Sequence, residues 1–245
     1  GGFVHGEYRY FAGSTCGRVW FQDNGSDGGR DAEGIPSADG SRDGGGRSTA
    51  FAQMAAGVCK VVRFNFNGSQ ILSRQVEELQ AVIANVRAKL KPQKLFLLGR
   101  SLGGAASIIT AAADENIDGL ILWATPNDLR KTFWNALGEE LYNKLDAGET
   151  LHLEDERGKM DLTPDFLTDL DQYDLSALMS AWQERPLLIL HGEKDVTVNV
   201  EQGKKNYELA SGDKELYTFP NGDHTFSECA VEANATIVKW LYSRT

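Results

Sequence analysis

The chain has 245 residues, 26 of them glycine, and a formal net charge of −10. That length suits a single α/β domain, residues 1–245, able to bury a large core unaided, while the negative charge, with no basic cluster to offset it, argues against nucleic acid as a partner. No apolar stretch approaches the ~20 residues that span a bilayer and no charged-then-apolar leader opens the chain; Cys16, Cys59 and Cys229, odd in number and far apart, suit reduced thiols, so a cytoplasmic protein with no membrane partner is expected.

In chain order, Val4 to Phe11 alternates like an exposed strand, and Gly13-Ser14 turns it into a second, rather polar one, Arg18 to Asp23. Residues 24–47 are dominated by Gly, Ser, Asp and Arg; little in them can be buried, which predicts a mobile loop. From residue 58 strands alternate with helices, the signature of a mostly parallel sheet covered on both faces. After the strand Val58 to Phe66, the positions Leu72, Val76, Leu79, Ile83, Val86 and Leu90 recur at steps of three and four. They form one helical stripe, ended by Lys91-Pro92.

The apolar run Leu95 to Leu98 then meets Gly99-Arg100-Ser101-Leu102-Gly103 and an alanine-rich helix. A serine on so sharp a strand-to-helix turn has its hydroxyl pushed out at the carboxyl end of a sheet, and residues without side chains are needed two places either side. Gly119 to Thr125 is the next strand, stopped at Pro126. Residues 127–185 are too long for a simple connection and predict an inserted cap of short helices. The cap is acidic, with 14 Asp and Glu against 6 Lys and Arg. That composition reads either as a solvated surface or as a bias towards amine-bearing substrates. Its Phe133, Trp134, Phe166, Tyr173 and Trp182 read as glue between cap and core or as the lining of an acyl or aryl pocket. Two further strands, Pro186 to Leu190 and Glu215 to Pro220, follow. Helices are expected over 199–211 and 229–243, the last with Val231, Ala235, Val238 and Leu241 on one face.

A nucleophilic serine needs a base to take its proton and a carboxylate to orient that base. His191-Gly192-Glu193-Lys194-Asp195 and Asn221-Gly222-Asp223-His224 each lie on a loop after a strand. They supply Asp195 as the acid, with Glu193 as an alternative, and His224 as the base. His5, His152 and His191 share no ligand spacing, so no metal site is expected.

With these residues in place, the chain from Lys60 onward resembles an α/β-hydrolase of the esterase and serine aminopeptidase-like branch, with a cinnamoyl-esterase-like character. The resemblance rests on Val61 to Gly68, the Ser101 turn, and the His-Gly-x-x-Asp and Gly-Asp-His loops. It implies an α/β-hydrolase fold with a small helical cap, and catalysis by Ser101, Asp195 and His224 through an acyl-enzyme, with no cofactor and no metal. It also implies an oxyanion hole built from the backbone N–H of Leu102 and a donor on the loop after an earlier strand. By register that second donor is Ser26, in a stretch where relatives carry His-Gly-aromatic. The first strand of the fold is missing on this reading. The expected substrate is a small-molecule ester of a small or medium acyl or aryl group. An aminopeptidase-like amide hydrolase and a silent binding protein with an impaired oxyanion loop are the alternatives.

Overall fold

Short apolar runs, Leu95 to Leu98, Gly119 to Trp123 and Leu187 to Leu190, build the middle of the sheet. The computed structural model describes residues 16–22, 54–55, 57–66, 70–155 and 158–244. The Val4 to Phe11 strand, the loop 24–47 and the question of a missing first strand lie outside the described residues. Strands β1 (Cys16–Gln22), β2 (Lys60–Asn65), β3 (Lys94–Arg100) and β4 (Gly119–Trp123) come first, with helices α1 (Leu72–Leu90) and α2 (Leu102–Ala113) among them. Between β4 and the next sheet strand the chain forms α3 (Leu129–Leu137), α4 (Glu139–Asp146), strands β5 (Leu151–Asp155) and β6 (Gly158–Leu162), α5 (Asp165–Leu170) and α6 (Leu175–Ser180). It then runs through β7 (Leu187–Gly192), α7 (Val200–Leu209), β8 (Lys214–Phe219) and α8 (Ala230–Tyr242).

The six-stranded sheet has the order β2-β1-β3-β4-β7-β8. From β3 to β8 all neighbours are parallel. β1 is antiparallel to both β2 and β3, with Gly17 opposite Gly99 and Gln22 opposite Lys94. Every residue of β4 and of β7 is buried, as expected of central parallel strands covered on both faces. Alternation sorts the side chains. Leu95, Leu97, Leu120, Leu122, Leu187 and Ile189 join the core formed with α1, α2 and the 127–185 segment. Phe96, Leu98, Ile121, Trp123, Leu188 and Leu190 join the core under α8.

The stripe foreseen on α1 is buried at Leu72, Val76, Leu79, Ile83 and Val86. Of the face foreseen on α8, Leu241 packs in the core and Val238 lies partly buried against it, whereas Ala235 is exposed. Ala233, Ile237, Trp240 and Leu241 are buried while Val231 is 76% exposed. Apolar residues lie on two sides of this helix, and the side carrying Ile237 and Trp240 buries more area. The 127–185 segment holds short helices and also the antiparallel hairpin β5–β6, which helical periodicity did not foresee. Its aromatic residues act largely as glue. Phe133 and Phe166 pack edge to face with ring centres 4.6 Å apart, and Trp182 is buried with its indole N–H donating to the Arg185 carbonyl at 2.9 Å. Trp134 stays 44% exposed. Among the described residues no helix is long and apolar enough to cross a membrane.

Candidate active site

The turn at Ser101 is built by close approach. A Cβ on Gly99 would lie 2.3 Å from the Gly103 carbonyl oxygen and 2.5 Å from the Gly104 Cα, so β3 passes into α2 more tightly than any other residue allows. Ser101 itself sits at φ 53°, ψ −128°, a backbone shape that costs of order 1–3 kcal/mol and persists only where its surroundings enforce it. Its N–H donates to the Trp123 carbonyl at 2.9 Å, and its own carbonyl accepts from the Gly104 amide at 2.9 Å. The Leu102 amide is the first of α2, where a helix leaves its N–H groups without intrahelical partners.

The loops after β7 and β8 meet this turn. His224 Nε2 lies 3.1 Å from Ser101 Oγ, and His224 Nδ1 lies 2.8 Å from Asp195 Oδ2. The other carboxylate oxygen of Asp195 accepts the amides of Thr197 at 2.9 Å and Val198 at 2.8 Å, which fixes its plane. His224 and Asp195 are both buried, at 2% and 3% exposure, so their contact is made away from bulk water. The structure therefore brings together the three side chains singled out from the sequence. Glu193 turns away and accepts from the Thr218 hydroxyl at 2.8 Å on the surface.

Two glycines weld the loops carrying Asp195 and His224 together. A Cβ on Gly192 would stand 2.2 Å from the Gly222 carbonyl oxygen, and that carbonyl accepts the Lys194 amide at 2.9 Å. The His224 loop is pinned from within: Phe226, at φ 56° and fully buried, stacks edge-on against Trp123 and Phe219 at 4.9 and 5.2 Å. Asp223 accepts the Ser227 amide and hydroxyl, both at 2.8 Å, and the Thr225 hydroxyl. Burial works against its charge, yet these bonds hold its carboxyl below the usual carboxylate range.

His191 packs behind the site. Its Nε2 lies 2.8 Å from the Val198 carbonyl and 3.6 Å from Asp195 Oδ2, and burial pushes its basicity down. His152 is exposed on the β5–β6 hairpin beside Asp161, and His5 lies outside the described residues. No cluster of three metal-ligating side chains occurs among the described residues.

The second oxyanion donor expected at Ser26 also lies outside the described residues. Because β1 runs antiparallel to β3, it leaves the sheet at Gln22 beside Lys94, at the end of β3 remote from Ser101. The end of β1 nearest the turn is its first, which begins at Cys16 and sets Gly17 opposite Gly99. Sequence reasoning also passed over the close packing of Gly192 and Gly222, although both sit inside the motifs it used.

Four parallel strands, a glycine-flanked serine turn after the third strand, and the loops carrying Asp195 and His224 after the last two define the α/β-hydrolase fold. Solved structures agree. Est1E from Butyrivibrio proteoclasticus is 17% identical with a TM-score of 0.69, covering 86% of this chain and 84% of that one. The esterase domain of a Rhodothermus marinus protein is 20% identical with a TM-score of 0.63, covering 80% of each chain. A monoacylglycerol lipase from Paleococcus ferrophilus is 18% identical with a TM-score of 0.62, covering 82% of this chain and 90% of that one. No protein-family model and no curated protein matches the chain.

Proposed function

We propose that this chain is a serine hydrolase that cleaves carboxylic esters of small or medium acyl or aryl groups. The observation that carries the reading is the relay from Ser101 Oγ to His224 Nε2 at 3.1 Å and from His224 Nδ1 to Asp195 at 2.8 Å. Neutral His224 takes the Ser101 proton as Oγ bonds to the ester carbonyl carbon, and Asp195 stabilises the imidazolium that forms. The carbonyl oxygen becomes an oxyanion beside the Leu102 N–H. As the intermediate collapses, the bond to the alcohol breaks and His224 returns its proton to that alcohol. A water then repeats the sequence on the acyl-enzyme, releasing the acid and restoring Ser101.

The structural relatives support ester over amide chemistry, since those above are an esterase domain, Est1E and a lipase. Inclusion of aryl groups draws on a further Est1E structure that has ferulic acid bound. The test is covalent. A fluorophosphonate probe is expected to add to Ser101 in the folded protein, and Ser101→Ala is expected to lose both the adduct and p-nitrophenyl ester turnover while still folding. Turnover retained in Ser101→Ala overturns the assignment. Aminoacyl-anilides assayed beside the esters separate an ester hydrolase from an amide hydrolase.

A further inference from the structure

Period-2 alternation along β3 puts Phe96, Leu98 and Arg100 on one face of the sheet, and the first two of these pack in the core beneath α8. The loop carrying His224 is rooted in that same core through Phe226. Arg100 is half-buried there, and its Nη2 donates to the His224 carbonyl oxygen at 3.0 Å. The residue that immediately precedes Ser101 thus holds the backbone of the residue whose ring faces Ser101.

We propose that Arg100 is a positioning residue for the hydrolysis: its guanidinium fixes the backbone of His224 and so sets the imidazole against the Ser101 hydroxyl. Among the described residues, three contacts bear on where that ring sits. Asp195 holds Nδ1 at 2.8 Å, the Phe226 ring anchors the loop between Trp123 and Phe219, and Arg100 holds the His224 carbonyl from the strand side. Of these, the contact from Arg100 is the one made by a residue covalently continuous with Ser101, so it ties the backbone of His224 to the serine turn. A charged donor on a carbonyl is stronger than a neutral one, and a planar guanidinium loses less freedom in holding it than a flexible chain does. Arg100 touches no reacting atom. Removing it lets the base drift, and a misplacement of about 1 Å costs up to roughly 100-fold in rate.

The inference rests on the hydrolase reading, and its experiment separates the two. Arg100→Met is expected to lower kcat roughly 10- to 100-fold with KM within about twofold of wild type. Arg100→Lys keeps a cationic donor and is expected to fall between them. Turnover by Arg100→Ala is expected to rise when ethylguanidinium is added. The proposal is overturned if Arg100→Met keeps kcat within twofold, if Met and Lys lose equally, or if the loss lies in KM. Should Arg100→Met lack a native near-ultraviolet circular dichroism spectrum, the ethylguanidinium response of Arg100→Ala decides, and no response overturns the proposal. A wild-type protein that takes no fluorophosphonate adduct sinks the hydrolase reading itself. Normal labelling in wild type with unimpaired Arg100→Met sinks this inference alone.

Discussion

His191 occupies the floor of the site, fully buried, with its Nδ1 lacking a hydrogen-bond partner among the described residues. The Nε2 contact to the Val198 carbonyl calls for a proton on that nitrogen, so the neutral ring holds the segment whose Val198 amide in turn binds Asp195. Burial lowers its affinity for a proton below the ordinary value of 6.5. Below that value the unfolded chain takes up a proton that the folded chain refuses, so stability falls as pH drops from 6.5 towards the folded value. The slope reaches at most about 1.4 kcal/mol per pH unit. His191→Gln is expected to flatten this part of a curve of urea-unfolding free energy against pH between 7 and 5; an unchanged slope contradicts the assignment. At this scale Ser101, Asp195 and His224 were legible because each closes a short apolar run with a recognisable loop. Arg100 was not, since its role depends on sheet parity and on a partner 124 positions away.

At the scale of elements, α1 begins without a capping side chain of its own. The inserted segment supplies one: buried Asp169, from α5, accepts the Ser73 amide at 3.0 Å and also the Ser73 hydroxyl, to which the Tyr173 hydroxyl is bonded at 2.7 Å. A carboxylate at a helix N-terminus satisfies free amides and opposes the helix dipole. Asp169→Ala is therefore expected to lower stability by about 1–2 kcal/mol, read as a lower urea midpoint with an unchanged m-value. A midpoint equal to wild type would show that this contact does not hold the insertion to α1. Arg130 ties α3 to its neighbours by pairing with Asp146 at 2.8 Å and Asp171 at 2.5 Å, which places one cation among the many carboxylates of this segment. The α1 stripe was readable because its large apolar residues gather on one side. The β5–β6 hairpin was not, because the alternations Leu151-x-Leu153 and Met160-x-Leu162 are short and flank a charged stretch. The direction of β1 was hidden for another reason: period 2 reports which face a side chain takes, never which way its strand runs.

Across the whole molecule, burial is concentrated in β3, β4 and β7, which are covered by helices on both sides, whereas β8 is the sheet's last strand and only partly buried. Local opening draws on regions with few buried apolar contacts. In native-state hydrogen exchange the amides of β4 and β7 are expected to be the slowest of the described residues, exchanging only on global unfolding. Those of β8 are expected to exchange sooner, and β8 outlasting β4 would contradict this ranking.

The contact between Gly192 and Gly222 makes the acid-bearing and base-bearing loops one body. On the reading proposed above, the seam of the relay among the described residues is the gap between Ser101 and His224, and an incoming ester would part the relay there. Arg100 reaches over that seam from the serine's own side, so a variant with a slack seam keeps an intact acid–base pair that is badly aimed.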